Sequence, residues 1–296
     1  MIVDDKSEIC IPFILDSLNQ YRRREQDRRC FFIGLNGLQG VGKTTLVTNL
    51  SLTLKSPPYS LSVVVLSIDD LYLTHDEQVK LADQQAANPL VQHRGEPGTH
   101  DIIIAEQIFK ALSSGSPTTI PRYDKSQYNG QGDRAHPSTW TKVNEFEPKI
   151  EVVIFEGWCV GFKALTDDEV RIKWEDSQAT RSSRSTLWKY SLEHLLFVND
   201  QLRKYDVITD VFDVMIHIDA EDTQYVYKWR LQQEAELRAL TGRGMTNEEV
   251  IHFVDSYYPA YELFTDTLRD GVLGVKGRQL RLIVGEDRRV KQSIII

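Results

Sequence analysis

Short, mainly apolar runs recur along this chain between longer stretches of helical spacing. Cys30-Phe31-Phe32-Ile33 within Arg28–Gly34, then Val63–Ile68, Glu151–Phe155, Val211–Ile218 and Leu280–Val284 read as five buried strands. Ile11, Ile14, Leu15 and Leu18 give Ile9–Arg24 the spacing of an amphipathic first helix. Thr44–Leu54, Thr74–Ala87 and Asp101–Leu112 predict further helices. Pro57 and Pro58 stop the first of these, and Gly115 closes the last. Strands that are apolar on both faces and separated by helices predict an α/β fold, its parallel sheet covered by helices on both sides.

Three stretches break this rhythm. Asn88–His100 is rich in turn residues. Pro121–Pro137 has no period and is crowded with Tyr, Asp, Lys, Gly and Arg, the composition of a functional loop. Asp176–Thr186, rich in Ser, Arg and Thr, is expected to be a mobile insertion. Farther on, a helix reaching Leu240 is ended by Gly242-Arg243-Gly244, and Thr246-x-x-Glu249 is a capping box that opens the next. Residues 225–264 therefore read as a lid-like helical excursion, with Tyr257, Tyr258 and Tyr261 at helical spacing as its packing residues. No internal repeat is visible, and the expectation is one domain over residues 1–296.

Composition narrows the function. The 296 residues are 41% hydrophobic and 26% charged, an ordinary globular balance with length enough for a full core. Thirty-five basic against forty-three acidic residues leave a net charge of −8, unfavourable for general binding of nucleic acid or anionic membrane. No run of about 18 apolar residues predicts a membrane span. Cys10, Cys30 and Cys159 match neither a disulfide framework nor a metal spacing, and Met1–Glu8 lacks a secretory pattern. The expected compartment is the cytoplasm. Arg22-Arg23-Arg24 with Arg28-Arg29 admits a nuclear-localisation reading beside it, although a solvated helix face is the favoured one. The oligomeric state is not legible.

Gly37-Leu38-Gln39-Gly40-Val41-Gly42-Lys43-Thr44 completes the pattern G-x-x-x-x-G-K-T, after a strand and at the start of a helix. Glycines there let backbone N–H groups close around phosphate oxygens, and the helix N-terminus adds its dipole. Lys43 supplies a cation for the β- and γ-phosphates and Thr44 a hydroxyl for Mg²⁺. These residues, with Thr45 behind them, form the expected site for a nucleoside triphosphate. A GTPase would carry Asn-Lys-x-Asp after a later strand, and none is present; a motor ATPase would end Val152–Phe155 in paired acids, where Glu156-Gly157-Trp158 stands instead.

The second strand delivers Asp69 and Asp70 beside this loop. A carboxylate there can take the proton of an acceptor hydroxyl, and an adjacent one can cap the following turn. Asp69, nearer the strand end, is the preferred proton acceptor. Glu156, ending the third strand at the same edge, is placed to order Mg²⁺ through its water shell.

Gly37–Thr44, Ser67–Tyr72, Phe155–Trp158 and Trp229–Gln233 together resemble the phosphoribulokinase, uridine kinase and pantothenate kinase group. Within it, Tyr72–His75, Arg94–Asp101, Pro121–Ser126 and Tyr258–Tyr261 are similar to plant-type D-glycerate 3-kinases and the related fungal ATP-dependent kinases of unassigned substrate. The resemblance runs from about Phe31 to Val290. It implies a P-loop NTPase-type sheet with a helical lid, ATP as phosphoryl donor, Mg²⁺, and a small hydroxylated acceptor. It puts Asp69 at the proton acceptor, Glu156 at the acidic strand end, Arg230 in the lid over the phosphates, and the adenine pocket near Gly285–Val290. Phe162–Leu192 diverges, and nothing is carried across it.

The acceptor is expected to meet Asp69, Tyr72, Arg94, His100, Asp101, Tyr123, Asp124, Lys125 and Arg134. A carboxylate such as that of D-glycerate needs an arginine or lysine, and hydroxyls suit Asp101 or Asp124. Turn chemistry at Pro97-Gly98 and Asn129-Gly130 is the competing account of these loops, and a structural hydrogen bond is the favoured one for His100. Arg230 is read as stabilising the transferring phosphoryl group, and Arg238 as a solvated face residue. A nucleoside, a pantothenate-like alcohol or a pentose phosphate remain alternative acceptors, as does a nucleotide sensor that transfers nothing.

Overall fold

The computed structural model describes residues 4–24 and 30–296. Its strands are β1 (Phe31–Gly37), β2 (Val63–Ser67), β3 (Thr118–Ile120), β4 (Tyr123–Asp124) and β5 (Asp133–Arg134), then β6 (Thr141–Val143), β7 (Val152–Gly157), β8 (Val214–Ala220), β9 (Gln279–Val284) and β10 (Val290–Ile295). Its helices are α1 (Ser7–Arg24), α2 (Lys43–Lys55), α3 (His75–Gln84), α4 (Ile102–Ser113) and α5 (Asp167–Thr180), then α6 (Leu192–Arg203), α7 (Asp206–Thr209), α8 (Tyr225–Thr241), α9 (Asn247–Asp255) and α10 (Tyr258–Asp270).

The central sheet has the order β10-β9-β8-β1-β7-β2. Its pairs are parallel apart from the antiparallel edge pair β9–β10. Every residue of β1 and β8 is buried, as strands covered on both faces require. Consecutive β1 side chains mark the two layers. Phe31 meets Tyr21 of α1 at 5.4 Å between ring centroids, and Phe32 stacks on Phe109 of α4, also at 5.4 Å. Phe155 of β7 joins the second layer edge-on to Phe109 at 5.0 Å.

Parallel pairing carries the carboxyl ends of β1, β7 and β2 to one edge. Glu156 is paired with Leu35 on one side and Ser67 on the other. The chain leaves β1 in one direction and returns through β8 in the other, so β1 lies where the strand order reverses, the usual place for a ligand crevice. Asn36, buried near the end of β1, donates to the carbonyls of Trp158 at 2.9 Å and Val160 at 2.8 Å, fixing the segment after β7 against it.

Residues 225–264 are mainly helical, forming α8, α9 and the first half of α10. Gly242 ends α8 in the left-handed conformation, and the Thr246–Glu249 capping box opens α9. The Asp176–Thr186 reading needs correction. Residues 176–180 complete α5, and Thr186 donates to Glu262 through its N–H at 2.8 Å and its hydroxyl at 2.7 Å. Arg22 of the basic cluster pairs with Glu151 at 2.8 Å, while Arg28 and Arg29 lie outside the described residues. No described helix is long and apolar enough to cross a membrane.

Beneath the sheet edge, fully buried Asp219 of β8 accepts from Arg269 of α10 at 2.9 and 3.0 Å and from Arg281 of β9 at 2.9 and 2.6 Å. Removing one partner of a buried pair strands the other's charge. Asp219→Ala is expected to cost about 3 kcal/mol, the low end of that range because both arginines keep contact with water. Urea unfolding measures it; a loss under about 0.5 kcal/mol, the scale of an ordinary surface change, would contradict this role.

Candidate active site

Gly37–Thr44 leaves β1 and turns into α2. Gly40 at φ +80° and Gly42 at φ +102° occupy conformations that side chains disfavour, and a Cβ on Gly40 would sit 2.7 Å from the Trp229 Cβ of α8. Leu38 and Val41 are buried, so the loop's framework is held from inside while its other face stays open. Lys43 Nζ donates to its own loop at the Gly37 carbonyl, 2.7 Å, and the Leu38 carbonyl, 3.1 Å. The Gln39 N–H reaches the Tyr261 hydroxyl at 3.3 Å.

In front of the loop lies a cleft of about 560 Å³. Gln39, Gly40, Lys43, Thr44 and Glu156 line its phosphate end, and Asp69, Tyr72, Arg94, Lys125 and Arg230 line the rest. The β2 end aims Asp69 inward, because Ile68–Leu71 forms a 3-10 turn whose first N–H groups are capped by Ser67, with Asp69 N–H to Ser67 Oγ at 3.3 Å. Asp70 turns the other way and accepts from the Tyr123 N–H at 3.1 Å. The two neighbouring acids are thus divided, one facing the cleft and one holding the loop at Tyr123.

Electrostatics sharpen the division. Burial pushes Asp69 up, but the Lys125 ammonium, 2.5 Å from its Oδ2, outweighs that and holds the carboxyl below its usual value. Asp70 lacks such a partner and is raised by burial. Glu156 is also raised by burial, with Lys43 opposing. Lys43 is lowered by burial, while Glu156 and Asp69 favour its ammonium. The charges at the strand ends depend on one another.

Arg94 spans the cleft wall. Its Nη1 donates to the Gly130 carbonyl at 2.7 Å and to the Gln131 carbonyl, and its guanidinium lies 5.7 Å from the Tyr123 ring centre. It therefore latches the loop at Gly130 and Gln131 while lining the cavity. Arg230 of α8 donates to Gln233 at 3.0 Å, stands 3.6 Å from Glu234, and lies over Phe253 at 5.0 Å. Arg238 is no simple face residue: it donates to the Met245 carbonyl and to Asn247 Oδ1 at 2.9 Å, bracing the joint between α8 and α9.

Five residues expected at the acceptor do not line the cleft. His100 is buried, its Nδ1 2.7 Å from the Tyr205 hydroxyl and its ring stacked on Tyr72 at 4.5 Å; burial pushes it down to about 4, so it is neutral at pH 7. Asp101 caps α4 through the Ile104 N–H and pairs with Arg134 at 2.9 Å, and Arg134 also donates to the Tyr72 carbonyl. Tyr123 supports Arg94, and half-buried Asp124 caps the turn at Ser126. These polar residues brace the loops from behind. Thr45 lies beyond the cleft lining on α2, and Gly285–Val290 packs on the outer side of the phosphate loop.

Sequence reasoning missed Trp158, Met245, Phe253 and Tyr257, which line the cleft. Trp158 meets Tyr257 at 5.1 Å and Tyr261 at 5.4 Å, both edge-on, and of the three tyrosines at helical spacing Tyr257 reaches the cleft. Trp158 stands two positions after Glu156, and that proximity was the available signal.

A scan of protein-family models finds no match. The chain is 41% identical over 286 residues to the uncharacterized kinase mug58 of Schizosaccharomyces pombe, covering 95% of this chain and 96% of that one. It is 38% identical over 241 residues to the chloroplastic D-glycerate 3-kinase of Arabidopsis thaliana, covering 80% of this chain and about half, 48%, of that relative. Among solved structures, the D-glycerate 3-kinase of Cryptococcus neoformans var. grubii superposes with a TM-score of 0.91 at 34% identity, over 99% of this chain and 100% of that one.

The Asp69–Lys125 pair makes a pH prediction. Asp69 is held low, so its carboxylate form persists at acidic pH and is lost only as pH falls through that depressed value. Lys125→Met leaves burial unopposed by that ammonium, and the acid limb of kcat/KM should move to higher pH, whereas Lys125→Arg should keep it near the wild-type position. Superimposable profiles for wild type and Lys125→Met would refute the coupling.

Proposed function

The chain belongs to the family of ATP-dependent small-molecule kinases that includes D-glycerate 3-kinase, and from that premise we propose that its acceptor is D-glycerate or a similar small sugar acid. The observation that carries the reading is the cleft's charge arrangement. One carboxylate, Asp69, faces the acceptor end among Lys125, Arg94 and Arg230, on a chain whose net charge is −8. Cations gathered there suit an acceptor that is itself an anion. Tyr72, Trp158, Met245, Phe253 and Tyr257 also line the cleft.

In the reaction, Asp69 accepts the proton as the acceptor O–H breaks and its oxygen bonds to the γ-phosphorus. The bond from that phosphorus to the bridging oxygen breaks, and ADP leaves with the electron pair. Lys43 holds the β- and γ-phosphate oxygens, and the backbone N–H groups of the phosphate loop hold their charge. The polyanion's own field favours the Lys43 ammonium that burial disfavours. Arg230, carried by the lid, stabilises charge on the transferring group. Thr44 and Glu156 offer hard oxygen donors at the phosphate end, a set that fits Mg²⁺ held mainly by phosphate and water. Bound there, Mg²⁺ would neutralise charge on the β- and γ-oxygens.

ADP release followed with D-glycerate, uridine and pantothenate separates the candidate acceptors. D-Glycerate should be the preferred one. Asp69→Asn should lower kcat by about 10²- to 10⁴-fold, the usual worth of a positioned base, and leave the KM for ATP little changed. Turnover of uridine or pantothenate in preference to D-glycerate would refute the acceptor; an undiminished kcat in Asp69→Asn would refute the base.

A further inference from the structure

Three separate parts of the fold meet at Arg288, in the turn between β9 and β10. Its Nε donates to the Gly40 carbonyl of the phosphate loop at 2.7 Å, and its Nη2 donates to Gln232 Oε1 of α8 at 2.9 Å. Its guanidinium lies 5.3 Å from the Trp229 ring centre, and the Trp229 indole N–H donates to the Glu286 carbonyl at 2.8 Å. The turn is also held from the N-terminal segment. Lys6 Nζ donates to the Arg288 carbonyl at 2.7 Å, and the Val290 N–H donates to Asp5 at 2.9 Å.

The backbone of Arg288 is unusual. It has φ +63°, a left-handed conformation that a non-glycine residue holds only when its surroundings impose it. The imposed turn directs a long cation back across about 250 residues of sequence onto one carbonyl. That carbonyl belongs to the peptide joining Gly40 to Val41, whose N–H is in turn bonded to the Leu38 carbonyl at 3.3 Å. A planar peptide held at both ends cannot rotate freely. Glycine at 40 gives the loop the freedom to wrap, and the same freedom would let it flip.

We propose that Arg288 is a positioning residue for nucleotide binding: it locks the Gly40–Val41 peptide of the phosphate loop and ties that loop to the lid helix. It acts through the loop, from its outer side, and does not line the cleft. Pre-ordering the loop removes part of the entropy that ATP binding would otherwise have to overcome.

The test titrates ATP with Mg²⁺ in the absence of acceptor, so the acceptor assignment can fail without affecting it. Arg288→Ala and the milder Arg288→Gln should each raise the Kd for ATP about tenfold or more, as loss of a charged hydrogen bond would. Arg288→Lys, which can still reach one carbonyl, should recover part of the loss. Gln232→Ala removes only the lid contact and should have a smaller effect than either. In the full reaction, Arg288→Gln should raise the KM for ATP and leave the acceptor KM within about twofold, a split that general destabilisation would not produce. Should Arg288→Ala fail to fold, Arg288→Gln decides. ATP binding by Arg288→Gln within twofold of wild type would overturn the proposal. So would a loss in Gln232→Ala as large as in Arg288→Gln, or an equal rise in both KM values.

Discussion

A lysine ammonium that must stay charged inside a protein cleft constrains everything around it. Lys43 is disfavoured as a cation by burial and favoured by Glu156 and Asp69, each delivered by a different strand end. That delivery depends on parallel pairing. Were β2 or β7 reversed, its acid would lie at the opposite edge of the sheet, and the phosphate loop after β1 would face no carboxylate. The register that pairs Glu156 with Leu35 and Ser67 is therefore also the register that assembles the charges.

On the acceptor side the same logic works through bracing. The loops from Arg94 to Asp101 and from Tyr123 to Arg134 are irregular, and loops of this kind hold shape only if their polar groups find partners. Asp70 holds the Tyr123 N–H, Arg134 joins Asp101 to the Tyr72 carbonyl, and Tyr205 receives the Gly98 N–H beside His100. The residues left facing the cleft, Asp69, Arg94 and Lys125, inherit their positions from that buried layer. Polarity in these loops thus serves two purposes, and the larger share of it is structural.

The five parallel strands were legible because a covered sheet leaves mainly apolar runs, even where His217 and Arg281 interrupt them and Val65 of the edge strand β2 is exposed. The first was read three residues early, since Gly34, Asn36 and Gly37 look like a turn, whereas Asn36 is a buried strand residue whose amide is fully used. Val290–Ile295 escaped because an exposed edge strand has no need of an apolar run, and the short ladders between Thr118 and Val143 are too brief to show a period. Asp176–Thr180 was read as insertion because an exposed helix end can be as polar as a loop. At the site, the residues tied to strand ends and to the phosphate loop were readable from position alone. Asp101 and Arg134 were expected at the cleft because sequence does not tell a polar group facing a cleft from one facing another loop, while His100 makes the structural hydrogen bond that was favoured for it. Trp158 and Tyr257 were under-read for the opposite reason: an aromatic that floors a site and one that fills a core have the same spacing.

Transfer of a phosphoryl group from ATP to a hydroxyl of a small sugar acid is the work we propose for the strand-end charges. Phosphorus NMR of a reaction containing ATP, Mg²⁺ and D-glycerate tests it most directly, because it observes the new bond. The predicted result is a new phosphomonoester resonance that grows as the γ-phosphate signal declines. Decay of ATP to ADP and inorganic phosphate alone, or no change in the spectrum, would contradict it.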